Sequence, residues 1–392
     1  MQSRSAEHAL GPSETVADLE DSPIIDVVRI GQEMEGIIPL WLGESDVTTD
    51  AAIMDAAEKS MRSGATFYTP NRGLPELRNA IAAYYSRIYD VDISDARICA
   101  TNSGMHAVTM ITRALMDQGD NAVLITPCWP NVDRAIRLVG GHVKEVPLDV
   151  CDGTFQLDLT KVEALCDART KMIYLASPSN PTGWTISKEQ SVELLELSRR
   201  KNVAILSDEV YQRLSFDSPN GTTLLSVANE DDALFVVNSF SKAWSMTGWR
   251  LGWMIYPKAF LASFEKLSQF TISGTPGFIQ AAGVYALNHG DHIVAEMRNR
   301  CMVAKSYIEP RLSAISGITV IPSNGGFYSM FTAPKTQDSA EFCKGAARVA
   351  KIGLAPGSAF GKGGEGMIRI CYARDKATLE EALSRLAHYV AS

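Results

Sequence analysis

Residues Ala233 to Pro257 read ALFVVNSFSKAWSMTGWRLGWMIYP. An unbroken apolar run, Ala233 to Val237, ends in two serines, Ser239 and Ser241, and in Lys242. Arg250 follows eight residues after that lysine and opens a second apolar run ending at Pro257. A strand with one wet face alternates apolar and polar residues. A run without alternation is buried on both faces, as in a largely parallel sheet covered by helices. Three upstream runs share this character: Asn121 to Pro127, Lys171 to Ser177 and Val203 to Glu209. Cations and hydroxyls gathered where such a strand stops point to an anion, or to a group that reacts with an amine.

Helices are expected between the runs. SKEQSVELLELSRRKN begins at Ser187 with Gln190 three residues on, a capping-box signature. Val192, Leu194, Leu195 and Leu197 supply its inward stripe, and Arg199, Arg200 and Lys201 suit its C-terminal end. The pattern predicts an α/β fold of three layers, α/β/α, around a mostly parallel central sheet. From about residue 296 the character changes. ITVIPSNGGFYSMF reads as antiparallel strands, and GMIRICYA as a short strand before a final helix, so a smaller α+β domain is expected. The expected division is 1–45, an arm and part of the small domain; 46–295, the large domain; and 296–392, the small domain. The first 22 residues read as a loosely held arm.

The chain has 392 residues, 46% hydrophobic and 21% charged, with a net charge of −8. That charge argues against nucleic acid or a membrane surface as partner. No apolar run approaches the roughly 18 residues of a membrane span. The opening lacks the apolar region of a signal peptide, which argues against export. Seven cysteines, odd in number, scattered and without C-x-x-C, read as reduced thiols of a cytoplasmic protein. His289 and His292 in NHGDH are read as a solvated helix end, and no metal site is expected.

Ligands of open parallel sheets bind beyond the carboxyl ends of the strands. At those ends stand Asn180 in SPSNPTG, Asp208 and Tyr211 in SDEVY, and Ser239, Ser241 and Lys242. Cys128 and Trp129 follow the run Asn121 to Pro127, and Ser103-Gly104 lead from a strand straight into a helix. Each has a plain alternative: a cap for Asp208, core packing for Trp129, a tight turn for Ser103-Gly104, a solvated loop position for Lys242. Different chemistry at successive strand ends is what the plain alternatives do not explain.

The ordered set SPSNPTG, SDEVY, SFSKAWSMTGWRLGW and IRICYA resembles the class I/II aminotransferases, fold-type I enzymes dependent on pyridoxal phosphate, from about Pro39 to the C-terminus. The resemblance implies pyridoxal 5'-phosphate as cofactor, with Lys242 as its Schiff-base partner and proton shuttle. It implies that Asp208 pairs with the ring nitrogen, that Tyr211 and Asn180 bond the ring's phenolic oxygen, and that Trp129 stacks on the ring. Arg250, Ser239, Ser241, Ser103 and the amides of Gly104 and Met105 become the phosphate cradle. Arg369 becomes the grip on the substrate α-carboxylate, joined by Asn180, with the backbone of Gly43 close by. Tyr68 would reach the phosphate of a neighbouring subunit, which implies a homodimer. The implied partners are an L-amino acid and a 2-oxo acid.

Met105 is apolar where some acidic-substrate members of the family carry lysine, which speaks against an aspartate-type side-chain site; a neutral or aromatic substrate side chain is expected. His106 reads as a helix residue, and Cys128 as a small residue that widens the cleft. GSAFGKGGEG, 357–366, lacks a G-K-[ST] ending and reads as a mobile loop over the cleft. The same residues would serve a pyridoxal-phosphate lyase, such as a carbon–sulfur β-lyase or a cyclopropane-forming synthase. A ligand-sensing module is a further alternative, and the short arm and negative charge speak against it.

Overall fold

The computed structural model describes residues 11–334 and 336–391. A seven-stranded sheet is built from β1 (Ile98–Thr101), β2 (Asn121–Thr126), β3 (His142–Pro147), β4 (Thr170–Ala176), β5 (Ala204–Asp208), β6 (Leu234–Ser239) and β7 (Gly252–Ile255). Its order is β1-β7-β6-β5-β4-β2-β3. The pairs β3/β2, β2/β4, β4/β5 and β5/β6 are parallel, while β7 runs antiparallel to both β6 and β1.

The unbroken apolar runs are explained by two cores, one on each face of the sheet. Leu234 and Val236 of β6 enter one core and Phe235 and Val237 the other; Ile173 and Leu175 of β4 likewise oppose Met172 and Tyr174. With a side-chain period of two, a strand covered on both faces must be apolar at every position.

The helices used below are α1 (Pro23–Gln32), α2 (Gly104–Leu115), α3 (Asn131–Leu138), α4 (Lys188–Lys201), α5 (Gly277–His289), α6 (Asp291–Ser313) and α7 (Lys376–Ala391). The capping box of α4 forms as its sequence predicts, with Ser187 and Gln190 bonding reciprocally. Its inward stripe differs. Val192 is exposed, and Ser191 and Ser198 take the core-facing positions beside Leu194, Leu195 and Leu197. At 100° per residue, Val192 lies about a quarter turn off the Ser191–Leu195–Ser198 line.

A second, antiparallel sheet contains β8 (Thr319–Ile321), β9 (Tyr328–Thr332), β10 (Ala355–Pro356) and β11 (Ile368–Cys371), in the order β8-β9-β11-β10. The N-terminal segment joins it: Ile38–Pro39 pair in parallel with Ile352–Gly353, and Val27, Leu40 and Trp41 share a core with Ile370 and Tyr372. The fold is therefore α/β with a mostly parallel sheet and a smaller α+β unit. Of the expected loose arm, residues 1–10 lie outside the described residues; Glu14–Ala17 form a single turn with nothing buried. The segment 357–366 is not an open loop. It folds as two 3-10 turns, Gly357–Phe360 and Lys362–Gly364, with Ala359, Phe360 and Gly364 buried. The Cys128 amide donates to Phe360 O at 2.9 Å and the Lys362 amide to Glu145 Oε2 at 2.7 Å, which ties the turns to the large sheet.

No described helix is long and apolar enough to cross a membrane. All seven cysteines are unpaired. His289 ends α5 and His292 lies in the first turn of α6, both exposed.

Candidate active site

The carboxyl ends of β1, β2, β4, β5 and β6 open on one edge of the sheet. Because β7 runs the other way, its first residue lies at that same edge: Gly252 is level with Ser239 and with Thr101. Arg250, which precedes a strand rather than following one, is thereby brought beside the serines and lysine that end β6. A cavity of about 390 Å³ lies there. Ser103, Gly104, Met105, Trp129, Asn180 and Asp208 line it; so do Tyr211, Ser239, Ser241, Lys242, Arg250, Arg369 and Gly43. Of the site residues that the resemblance implies, Tyr68 alone is elsewhere. It is 93% exposed, next to Phe67 at 84%.

Lys242 Nζ donates to Gly43 O at 2.6 Å and lies 5.8 Å from the centre of the Tyr211 ring. Burial lowers the amine to about 8, because an ammonium loses its hydration there. Asp208 ends β5 and is 5% exposed. Its carboxyl is raised to about 6 by burial, against the pull of the Val210 amide, the Tyr174 hydroxyl and Lys242. Those two hydrogen bonds measure 3.2 and 3.1 Å.

Tyr211 and Tyr328 share a hydrogen bond of 2.6 Å between their hydroxyls, linking the loop after β5 to β9 of the small sheet. Burial raises the pKa of the Tyr211 phenol, keeping its proton available for donation. Gly43 lies against this pair. A Cβ there would stand 1.9 Å from the Tyr328 hydroxyl, so the approach of this backbone to the tyrosines demands glycine.

Arg369, on β11, is 3% exposed. Its guanidinium carbon stands 4.5 Å from the Tyr328 ring centre and 4.9 Å from that of Phe360. Nη1 donates to Asn180 Oδ1 at 2.9 Å and Nη2 to Trp41 O. Nε is buried with no hydrogen-bond partner among the described residues. Asn180 thus spends its carbonyl on Arg369 and retains its amide as a donor.

At the other end of the cavity, Ser239 Oγ donates to Ser241 Oγ at 2.8 Å, and the Ser241 amide donates to Ser239 Oγ at 3.0 Å. Ser103 caps α2, its Oγ accepting from the His106 amide. The cap role and the cavity-lining role coexist at Ser103. Gly252 lets α2 begin so close: its Cβ would fall 2.9 Å from the Gly104 nitrogen. Arg250 has φ 55°, left-handed backbone costing a non-glycine residue roughly 1 kcal/mol. Strain of this kind collects where a side chain must be aimed.

His106 is outside the cavity lining; its Nδ1 accepts from the Asn102 amide, as befits a residue of the helix start. Cys128 does not shape the cleft as expected. It is buried in the core beneath the sheet, and only Trp129, half-buried, reaches the cavity. Sequence reasoning passed over Tyr174, Tyr328, Trp41 and Phe360. A signal existed for Tyr174: a phenol inside a strand buried on both faces needs a partner for its hydroxyl.

The donor set suits pyridoxal phosphate. An enclosed amine of lowered pKa suits an aldehyde, and a desolvated carboxyl whose one nearby cation among the described residues is Lys242 suits a protonated ring nitrogen. Two hydroxyls, a guanidinium and the N-terminus of a 12-residue helix suit a phosphate.

Residues 37–386 match the family model "Aminotransferase class I and II". The aspartate aminotransferase of Pyrococcus horikoshii is 31% identical over 95% of this chain and 96% of its own length. That of Thermotoga maritima is 32% identical over 91% and 92%. Among solved structures, an aspartate aminotransferase mutant of Thermus thermophilus superposes with a TM-score of 0.91 at 27% identity, covering 97% of this chain and all of that one. An aromatic aminotransferase from Pyrococcus horikoshii gives 0.86 at 29% identity, covering 93% and 98%. This chain is an aminotransferase and belongs to the class I and II aminotransferase family.

Proposed function

We propose that the protein uses pyridoxal 5'-phosphate to move an amino group from an L-amino acid to a 2-oxo acid in two half-reactions, with Lys242 as the covalent anchor and the proton carrier. The observation that carries this reading is Lys242: an enclosed amine, lowered to about 8, at the end of β6 in the cavity that Asp208 and Arg369 also line. When bound, the cofactor supplies an aldehyde for the amine and a ring that takes up the electron pair released at the substrate Cα.

The lining residues divide the work. Lys242 Nζ would be both the anchor and the base for the proton at the substrate Cα. The Asp208 carboxylate would hold the ring N–H. Tyr211 and the Asn180 amide would donate to the ring's phenolic oxygen, and Trp129 would cover the ring. Arg250, Ser239, Ser241, Ser103 at its helix cap, and the amides of Gly104 and Met105 would hold the phosphate. Arg369 presents N–H groups from a rigid plane, matched to the two oxygens of an α-carboxylate. Gly43 O holds the Lys242 amine in place.

We also infer a homodimer in which Tyr68 serves the neighbouring site. Phe67 and Tyr68, and Phe270 at 79% exposure, lie on segments stapled by the Thr69 Oγ1 to Thr275 O bond of 2.8 Å, a large aromatic surface for one chain to leave in water. A cytoplasmic location accords with seven unpaired cysteines. The division into 1–45, 46–295 and 296–392 is supported by the separate core that Val27 and Leu40 share with Ile370.

Amino acids mixed with the purified protein should convert the cofactor to its amine form and yield the matching 2-oxo acid. Release of pyruvate and ammonia instead would mark a lyase. Two further results are expected. Uptake of pyridoxal phosphate by the apoprotein should quicken about tenfold per pH unit up to pH 8 and level off above it, since only the neutral amine reacts and its fraction rises through a pKa of about 8. Stopped-flow absorbance from pH 6.5 to 9.5 measures this; a rate still climbing past pH 9.5 would contradict it. In Arg369→Lys, KM for both amino acid and 2-oxo acid should rise roughly a hundredfold, with the cofactor spectrum unchanged. Steady-state kinetics with normal KM values would remove Arg369 from its role.

A further inference from the structure

Tyr174 and Asp208 stand on neighbouring strands, β4 and β5, and belong to the same face of the sheet. Ala176 is level with Asp208, and Tyr174 with Leu206. With a side-chain period of two, Tyr174 is therefore the diagonal neighbour of Asp208, a separation that a long side chain spans. Its hydroxyl donates to Asp208 Oδ2 at 3.1 Å, while the Val210 amide donates to Oδ1. The Tyr174 ring is fully buried, in the core that Leu124, Leu206 and Phe235 share. Phenylalanine would fill that apolar place as well. Among the described residues, the one partner of the hydroxyl is Asp208. Burial and the neighbouring carboxyl hold the phenol's pKa well above its ordinary value, so it keeps its proton and acts as the donor.

We propose that Tyr174 is a positioning residue for Asp208: through this bond it sets how tightly the carboxylate holds a proton, and hence how the proton between Asp208 and the cofactor's ring nitrogen is shared. This rests on the placement of the ring against Asp208 and adds a second group that tunes the ring. A hydrogen bond donated to a carboxylate favours its ionised form. Burial works the other way and raises the Asp208 carboxyl. Tyr174 offsets part of that rise, so that Asp208 meets the ring as an anion in a place that favours the neutral acid. The Val210 amide gives the same help from the backbone, where no change of side chain removes it. The other titratable groups that interact with Asp208 are Lys242, Cys128 and Glu209.

Tyr174→Phe keeps the ring in the core and deletes only the bond. Urea unfolding of the apoproteins from pH 4 to pH 9 compares wild type, Tyr174→Phe, Asp208→Asn and the double variant. Lys242, Cys128 and Glu209 are common to all four, so differences between the curves report on the pair. In wild type, stability is lost as pH rises through the folded-state value of about 6, because the unfolded chain has already released the proton. Without the phenol the folded carboxyl holds its proton more tightly, and the loss should run on to about one pH unit higher. On the Asp208→Asn background, Tyr174→Phe should change stability by the same amount at every pH. A hydroxyl with a merely structural role would lower the whole curve and leave its midpoint in place; an unmoved midpoint in Tyr174→Phe overturns the proposal. The cofactor-loaded protein gives the second readout. With isotope-labelled nitrogen in the ring, solid-state NMR should show the ring nitrogen of Tyr174→Phe shifted toward its unprotonated value, since a carboxylate that has lost a donor is the stronger base. If Asp208→Asn moves this signal and Tyr174→Phe does not, Asp208 keeps its place against the ring and the role of Tyr174 is overturned. If neither variant moves it, the placement of the ring itself fails and the proposal falls with it.

Discussion

Lys242→Ala is expected to slow amino-group transfer by about four orders of magnitude or more, because on the proposed reading one side chain would supply both the covalent anchor and the proton carrier. The environment equips the amine for both tasks. Burial brings it to about 8, so that near neutral pH it both accepts and releases a proton, where a solvated lysine stays charged. The 2.6 Å bond to Gly43 O fixes its direction. The fold should survive the change, since only an enclosed cation and one hydrogen bond are lost. Borohydride treatment followed by mass spectrometry reads the result. Wild-type protein should gain the mass of the reduced cofactor on a peptide containing Lys242, and the variant should gain none. A cofactor adduct persisting in the variant would refute the assignment.

The second large effect concerns Asp208, where function and stability are expected to oppose each other. Asp208→Asn should weaken retention of the cofactor by roughly a hundredfold to a few thousandfold, the range for leaving one member of a buried charged pair alone. The same change should stabilise the apoprotein near pH 7.5, by up to about 3 kcal/mol. Burial raises this carboxyl from 3.8 to about 6. Between those values the folded chain keeps a proton that the unfolded chain has released, so apoprotein stability falls as pH rises through that window, and the loss persists above it. A neutral amide has no such loss. Urea unfolding of both apoproteins at pH 4 and pH 7.5, together with cofactor dissociation rates, measures both halves. A variant apoprotein no more stable at pH 7.5, with cofactor held as tightly as before, would mean that Asp208 faces no cationic ring.

Much of this was legible in the chain. The strands could be read because both faces are buried, as the split of Phe235 and Val236 between two cores shows. The site could be read because an α/β sheet collects its ligand contacts at strand ends, where polar residues interrupt apolar runs. Val192 misled because amphipathic counting credits any apolar residue near the stripe, whereas packing accepts small serines at the close contacts of α4. The turns at 357–366 misled because glycines permit mobility and equally permit tight packing: a Cβ on Gly357 would stand 1.9 Å from Gly364 O. Tyr328, far along the chain from Tyr211, carries no local mark of the hydrogen bond that joins them.

The sequence alone determined the layered fold and pointed to the proposed reactive amine and the residues around it, because periodicity and strand-end chemistry are local properties of the chain. Only the tertiary structure decided that β7 turns back to deliver Arg250, that Tyr328 and Arg369 of the small sheet close over Asn180 and Tyr211, and that Ile24 and Leu42 reach the same cavity. Those contacts join residues up to hundreds of positions apart, and their geometry exists only once both sheets and the segment before them have packed.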